Sequence, residues 1–151
     1  MRLALVSDLH GNAQALEAVL ADATSRAVDR VVCLGDTATL GPSPRRVLAM
    51  LRERRIPCIT GNHDAFLLDA ELVHAYTEAP QVVQAIYWCR ERLGAEDLGF
   101  LDTFVPTMEV DLGDDARALL FHGSPRSHVE DLLADAPADL LDEVLPPGFA
   151  V

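Results

Sequence analysis

The sequence predicts an α/β fold built on a parallel sheet. Three observations carry that expectation. Leu3 to Val6, Val31 to Leu34 and Ile56 to Ile59 are short apolar runs without polar alternation, the pattern of strands buried on both faces. Two stretches with helical spacing separate them, giving the order strand, helix, strand, helix, strand, for which right-handed crossovers are expected. Each apolar run also ends abruptly in polar or glycine residues.

The elements follow in order. Leu16, Val19, Leu20 and Ala23 form the expected buried stripe of the first helix, with Asn12 as its cap. Ser43 and Pro44 read as cap and first position of the second helix, with Val47, Leu48 and Leu51 facing inward. Pro57 lacks an amide hydrogen, so it is placed near the start of the third strand. From Ala65 to Phe104 helical segments replace strands, one of them carrying Val82, Val83, Ile86 and Leu93 around Trp88. Tyr87 and Trp88 are expected to pack. Thr107 to Leu112 and Ala116 to Phe121 predict a hairpin turning at Gly113-Asp114-Asp115. Ala138 to Leu145 predicts a last helix, stopped by Pro146-Pro147-Gly148, and Phe149-Ala150-Val151 then reads as the start of a further strand. The chain is expected to be a single domain over 1–151 with a helical insertion at about 65–104.

Composition narrows the chemistry. The formal charge is −12, which disfavours a nucleic-acid duplex or an anionic membrane as partner. All 12 basic residues are arginine, so lysine-based phosphate loops, Schiff bases and general bases are excluded within this sequence. Cys33, Cys58 and Cys89 show no CxxC spacing and are expected as buried reduced thiols. No apolar stretch approaches the roughly 18 residues of a membrane span. The N-terminal run reads as a strand rather than a signal peptide, and a cytoplasmic protein is expected.

The polar residues after the three strand-like runs carry the functional signal. They are Asp8 and His10, then Gly35-Asp36, then Gly61-Asn62-His63-Asp64, spaced by roughly 30 residues, about one βαβ unit. In an open parallel sheet, sites form at the carboxyl ends of the strands, so these side chains should meet at one edge. They are oxygen and nitrogen donors without a thiolate, a set suited to manganese, iron, zinc, cobalt or nickel. Asp36 is in the central position to bridge two ions, and two ions can clamp a phosphoryl group and share a water.

These blocks resemble the signature blocks of calcineurin-like metallophosphoesterases. Ser7-Asp8-Leu9-His10-Gly11-Asn12 with Ala15-Leu16-x-Ala18-Val19-Leu20, Gly41-Pro42-x-Pro44 and Trp88…Leu93…Phe100-Leu101 are similar to the small bacterial and archaeal phosphodiesterase branch. Phe121-His122-Gly123-Ser124-Pro125 looks like the fourth block. The resemblance implies an α/β/β/α sandwich and two divalent ions, manganese first among the candidates. It implies Asp8 and His10 on the first ion, Asp36 on both, and Asn62 and His122 on the second. His63 would act at the leaving group or the phosphoryl oxygens, with Asp64 orienting it. The implied reaction is hydrolysis of a phosphodiester or phosphomonoester by a hydroxide bridging the ions, on a small or nucleotide-type substrate. A phosphoprotein or dinucleoside-polyphosphate substrate is the second choice. A catalytically silent binding or scaffold module is the alternative from another class.

The resemblance also implies a closing Gly-His-x-His block after a further strand, with one histidine for each ion. The sequence lacks it, so the later strands of the second sheet are expected to be missing here and the natural protein to be longer. Arg45, Arg46, Arg52, Arg54 and Arg55 cluster in and after the second helix and read first as a solvated face; Arg45 and Arg46, which begin that helix near the expected site, are weak candidates for a substrate contact. His128 and His74 are expected as solvated residues, the former in a loop.

Overall fold

The computed structural model describes residues 1–114 and 116–149. Asp115, expected in the hairpin turn, and Ala150-Val151, expected in a further strand, lie outside the described residues. Strands β1 (Leu3–Val6) and β2 (Arg30–Cys33) pair in parallel, from Leu3 opposite Arg30 to Val6 opposite Cys33. Helix α1 (Ala13–Ser25) connects them, and the Asn12 side chain accepts a hydrogen bond from the Ala15 amide at 3.0 Å, as a cap should. Ala13, Leu16, Leu20 and Ala23 are buried, whereas Val19 is 45% exposed. The buried stripe is narrower than the sequence suggests, and Val19 falls on its shoulder.

Helix α2 (Pro44–Glu53) starts on Pro44 and buries Val47, Leu48, Met50 and Leu51. The third apolar run departs from expectation. It is extended, but it pairs only through single parallel bridges, Cys33 with Cys58 and Ile59 with Val105. Pro57 explains part of this: its carbonyl accepts from Cys33 N at 3.0 Å, but it has no amide to extend the ladder. Ile59 N still donates to Cys33 O at 2.8 Å, so the run continues the β-sheet surface without forming a regular strand.

Strands β3 (Thr107–Gly113) and β4 (Ala116–Phe121) form the expected antiparallel hairpin, with an irregularity between Asp111 and Gly113. The two sheets lie back to back. Val6, Cys33 and Cys58 face the helices and pack with Leu16, Leu20, Val47, Leu48 and Leu51. Val32 and Ile59, alternating to the other face, pack with Val110 and Leu120 of the hairpin. Each fully buried leucine or valine of these clusters contributes roughly 1.5–3 kcal/mol. The result is a helix layer on a β-sheet layer on a second β-sheet layer.

Helices α3 (Asn62–Leu68), α4 (Val73–Tyr76), α5 (Pro80–Arg90) and α6 (Ala95–Leu101) fill the stretch between the third run and the hairpin, with a short 3-10 turn at Ala70–Leu72. Phe66, Ala70, Val73 and Ile86 make its own small core. Trp88, expected to pack, is instead 41% exposed, with the Arg92 guanidinium 3.9 Å from its ring. Helix α7 (Ala138–Val144) follows the hairpin. All three cysteines are free and buried. Among the described residues, no helix is long and apolar enough to cross a membrane.

Candidate metal centre

The β1 and β2 chains remain hydrogen-bonded beyond their strands. Asp8 N donates to Gly35 O (3.1 Å), His10 N to Asp36 O (2.9 Å) and Gly11 N to Thr37 O (2.9 Å). This continued pairing holds Asp8 and His10 beside Asp36. All three sit in left-handed backbone, at φ 54°, 42° and 56°. Aspartate and histidine tolerate that region better than branched residues, but three together store conformational energy, on the order of 1 kcal/mol or more each. Gly61 is required by close approach: a Cβ there would lie 2.1 Å from Asp36 Oδ1. Asn62 and His63 then start α3, and His122 leaves the end of β4.

Asp36 lies at the middle of the cluster. One ligand atom each from Asp8, His10 and Asp36 falls within 4.8 Å of the others. His10 Nε2 is 3.7 Å from Asp8 Oδ1 and 3.8 Å from Asp36 Oδ2. On the opposite side, His122 Nε2 is 3.6 Å from Asp36 Oδ1 and 3.1 Å from Asn62 Oδ1. The two carboxylate oxygens of Asp36 thus face two different histidines. Asp36 Oδ1 also accepts from His63 N at 3.0 Å.

The hydrogen bonds assign the ring nitrogens. His122 Nδ1 lies 2.9 Å from Leu34 O, and a carbonyl can only accept, so Nδ1 carries the hydrogen. His122 Nε2, Asn62 Oδ1 and Asp36 Oδ1 then converge at 3.1 and 3.6 Å, a set of nitrogen and oxygen donors that a divalent cation can share, and a backbone-anchored histidine of this kind is the usual support of a metal ligand. The donor set therefore fits divalent ions on both sides of Asp36.

Thr39 lies fully buried between His10 and His63, a position that its sequence does not signal. Its hydroxyl is 3.4 Å from His10 Nδ1 and 2.8 Å from His63 Nδ1. A hydroxyl has one hydrogen to give. If His10 Nε2 is to keep its lone pair for a cation, His10 Nδ1 donates to Thr39 and Thr39 donates to His63 Nδ1. The hydrogen of neutral His63 is then on Nε2.

The expected pairing of Asp64 with His63 is not formed. The Asp64 carboxylate accepts from Asp36 N (2.8 Å), Thr37 N (3.0 Å), Thr37 Oγ1 (2.6 Å) and Gly61 N (3.0 Å). At the third position of α3, its side chain turns back to cap the helix and staple the Asp36 loop to it. Asp64 positions Asp36 and Thr37, and Thr39 is what contacts the His63 ring.

The electrostatics follow from burial. Loss of solvent raises the Asp36 carboxyl to about 7, with the charges of Asp64 and Asp8 adding to the rise and His122 opposing it. Burial, reinforced by His10 and His122, lowers His63 to about 4. Burial also raises Asp64 against its four hydrogen bonds.

These residues line a basin of about 480 Å³ that also includes Tyr76, His128, Val129 and Asp131. His128, expected to be a solvated loop residue, is a basin wall, and burial followed by His122 lowers its pKa. Arg45 and Arg46 are not in the basin. Arg45 Nε is 3.0 Å from Asp97 and Arg46 Nη2 is 3.2 Å from Glu17, on the outer side of α2. Facing neighbouring carboxylates, they do not serve as substrate contacts in this arrangement.

Back-to-back sheets with a carboxylate–histidine cluster at one edge define a layered α/β class with a candidate metal site, and comparison with known proteins agrees. The sequence model of the calcineurin-like phosphoesterase superfamily domain matches residues 1–145, and the chain belongs to that superfamily. A metallophosphoesterase from Sphaerobacter thermophilus is similar in structure, with a TM-score of 0.71, 33% identity, and coverage of 99% of this chain and 56% of the other. The uncharacterized protein MJ0912 of Methanocaldococcus jannaschii is 29% identical over 124 residues, 82% of this chain and 50% of that protein. The hypothetical protein PH1004 from Pyrococcus horikoshii shares the fold at a TM-score of 0.78 and 19% identity, over 94% of this chain and 63% of that one. The chain thus spans about half the length of the curated relative it matches.

Proposed function

We propose that this chain belongs to a phosphoesterase that hydrolyses phosphodiesters or phosphomonoesters with two divalent ions, manganese first among them. Asp8, His10 and Asp36 would hold one ion, and Asp36, Asn62 and His122 the other. The observation that carries this reading is the placement of the two Asp36 oxygens toward two histidines, 3.8 Å and 3.6 Å away on opposite sides. When bound, the ions supply positive charge for the phosphoryl oxygens and an acidified water as nucleophile.

The chain's own residues do the rest. Asp36 is set between both positions by Asp64, which grips its amide, and by the His63 amide on Oδ1. His63 is neutral at pH 7 with its hydrogen on Nε2, so it acts as a hydrogen-bond donor to a phosphoryl or leaving-group oxygen rather than as an imidazolium acid. Its Thr39 contact and the edge-on His10 ring, 5.1 Å away, hold its orientation. The family membership and the similarity to the Sphaerobacter thermophilus metallophosphoesterase support the assignment.

The test is elemental analysis after loading with manganese, paired with hydrolysis of bis-aryl phosphodiester. Two ions per chain with hydrolysis that His63→Ala reduces at least tenfold, while metal content stays, agrees with this reading. A protein that takes up no metal and stays inert is the scaffold module instead.

A further inference from the structure

A second cavity, of about 820 Å³, opens at the other end of β2 from the basin. Its walls are the last turns of α1, Arg30 and Val31 at the start of β2, Arg54 and Arg55 leaving α2, and Ile56 and Pro57 at the entry to the third run. The basin takes Leu34 and Asp36 from just past the far end of the same strand, and the two sites have no residue in common.

The cavity gathers unusual charge. Acids outnumber bases by 24 to 12, so an arginine without a carboxylate partner is unexpected. Among the described residues, seven of the 12 arginines lie within 4.0 Å of a carboxylate. Arg2 and Arg90 donate instead to the carbonyls of Arg26 and Leu68. Arg30, Arg54 and Arg55 have neither kind of partner among the described residues, and all three line this cavity. Arg30 reaches only the Met108 sulfur, a weak acceptor, at 3.6 Å.

The acids of the wall are engaged elsewhere. Glu17 faces Arg46 at 3.2 Å, and Asp29 Oδ2 accepts from Arg2 N at 2.6 Å. The negative end of α2 draws cations and accounts in part for Arg54 and Arg55, but Arg30 opens a strand. Carbonyls at both helix ends are also occupied: Val28 N donates to Ala23 O at 3.1 Å and Ile56 N to Leu51 O at 3.0 Å. Much of the remaining wall is apolar, with Leu20, Ala23 and Ile56 buried and Val28, Val31 and Pro57 half-buried.

We propose that this cavity is a binding site for a small organic phosphate, separate from the basin. Arg30, Arg54 and Arg55 take the phosphoryl oxygens, and Leu20, Val28 and Ile56 pack against the apolar body. Three guanidinium groups match the three terminal oxygens of a phosphomonoester better than the two of a carboxylate. The site does not depend on what the basin catalyses.

The experiment titrates the full chain with hexyl phosphate and with inorganic phosphate by calorimetry, at physiological salt and without added metal, so that no ion in the basin captures the probe. One site per chain is expected, with hexyl phosphate bound at least about tenfold tighter because its methylenes leave water. Arg30→Ala, and Arg54→Ala with Arg55→Ala, should each weaken hexyl phosphate about tenfold or more, the scale of hydrogen bonds to a charged group. All three side chains belong to exposed residues, so these variants should keep the thermal melt of the unaltered chain. Arg92→Ala removes a guanidinium stacked on Trp88, outside the cavity, and should change nothing. Equal binding of the two probes overturns the apolar half of the site. Equal loss in Arg92→Ala, or none in Arg30→Ala, shows diffuse attraction to surface charge and overturns the site, as does failure of hexyl phosphate to bind. None of these outcomes bears on the phosphoester reading of the basin.

Discussion

On one side of Asp36, Asp8 and His10 are open to solvent, with side chains 58% and 29% exposed and separations of 3.7–3.8 Å. On the other side, His122 is 14% exposed, anchored through Nδ1 to the Leu34 carbonyl at 2.9 Å, and 3.1 Å from Asn62. The first side is carried on strained loop backbone; the second joins a helix start to a strand end. The two halves differ in preorganisation. A clamped, desolvated pair loses less freedom on binding a cation than an exposed one. The Asn62–His122 side should therefore load first, and Asp36 is where the two halves become one centre.

Removing the group that both halves share should have the largest effect. Asp36→Asn should reduce manganese affinity on both sides by more than ~100-fold, measured by equilibrium dialysis. The same change should stabilise the metal-free protein. Asp36 has a folded-state pKa raised from 3.8 to about 7, so the native state holds its proton more tightly than the unfolded chain does. The cost of ionising it is absent near pH 4 and complete above about pH 7. A gain on the order of 1–3 kcal/mol is expected at pH 8, and none near pH 4, by thermal melts. Loss of a metal site and gain of apo stability in one variant would mark Asp36 as a group kept for binding rather than folding.

The two histidines separate the halves. His122→Ala should remove the tighter manganese step and also cost about 1 kcal/mol of apo stability, since the Leu34 carbonyl loses its partner. His10→Ala should remove only the weaker step. Equal steps in the unaltered chain, or His10→Ala abolishing the tighter one, would reverse the ordering.

The sequence reveals convergence better than contact. Asp8, Asp36 and Asn62 each follow a strand-like apolar run, and parallel strands leave their carboxyl ends at one edge; that much is legible before any coordinate. The order of elements and the hairpin are legible for the same reason, since periodicity reports burial. Contacts at the site are not. Asp64 adjoins His63 in sequence and so suggests a pair, but in the first turn of a helix its side chain curls back to backbone amides. Thr39 looks like an ordinary loop residue, because nothing in Thr37-x-Thr39 says that one hydroxyl lies between two imidazoles. Arg45 and Arg46 start a helix near the site, yet helix rotation gives them to Asp97 and Glu17. His128 and Tyr76 come from segments without periodicity of their own, and only tertiary packing brings them to the basin.

Thr39 supplies a subtler test. Thr39→Val keeps the shape and removes the hydroxyl, so His63 loses the partner that sets its hydrogen on Nε2. Turnover should fall about tenfold, with both ions retained, and Thr39→Ser should restore it. A Thr39→Ser variant as impaired as Thr39→Val would assign Thr39 to packing alone. The smallest expected effect is on pH. In the proposed site manganese takes the Asp36 carboxylate, so uptake should release close to one proton per chain below about pH 7 and weaken by up to about tenfold per pH unit. Calorimetry in buffers of different ionisation enthalpy reads that proton directly.

The most direct measurement is the electron paramagnetic resonance spectrum of the chain loaded with two equivalents of manganese. A carboxylate shared between both ions predicts the multiline signal of an exchange-coupled pair, replaced by little or no bound manganese in Asp36→Asn. A spectrum of isolated, uncoupled ions at full occupancy would contradict the shared site.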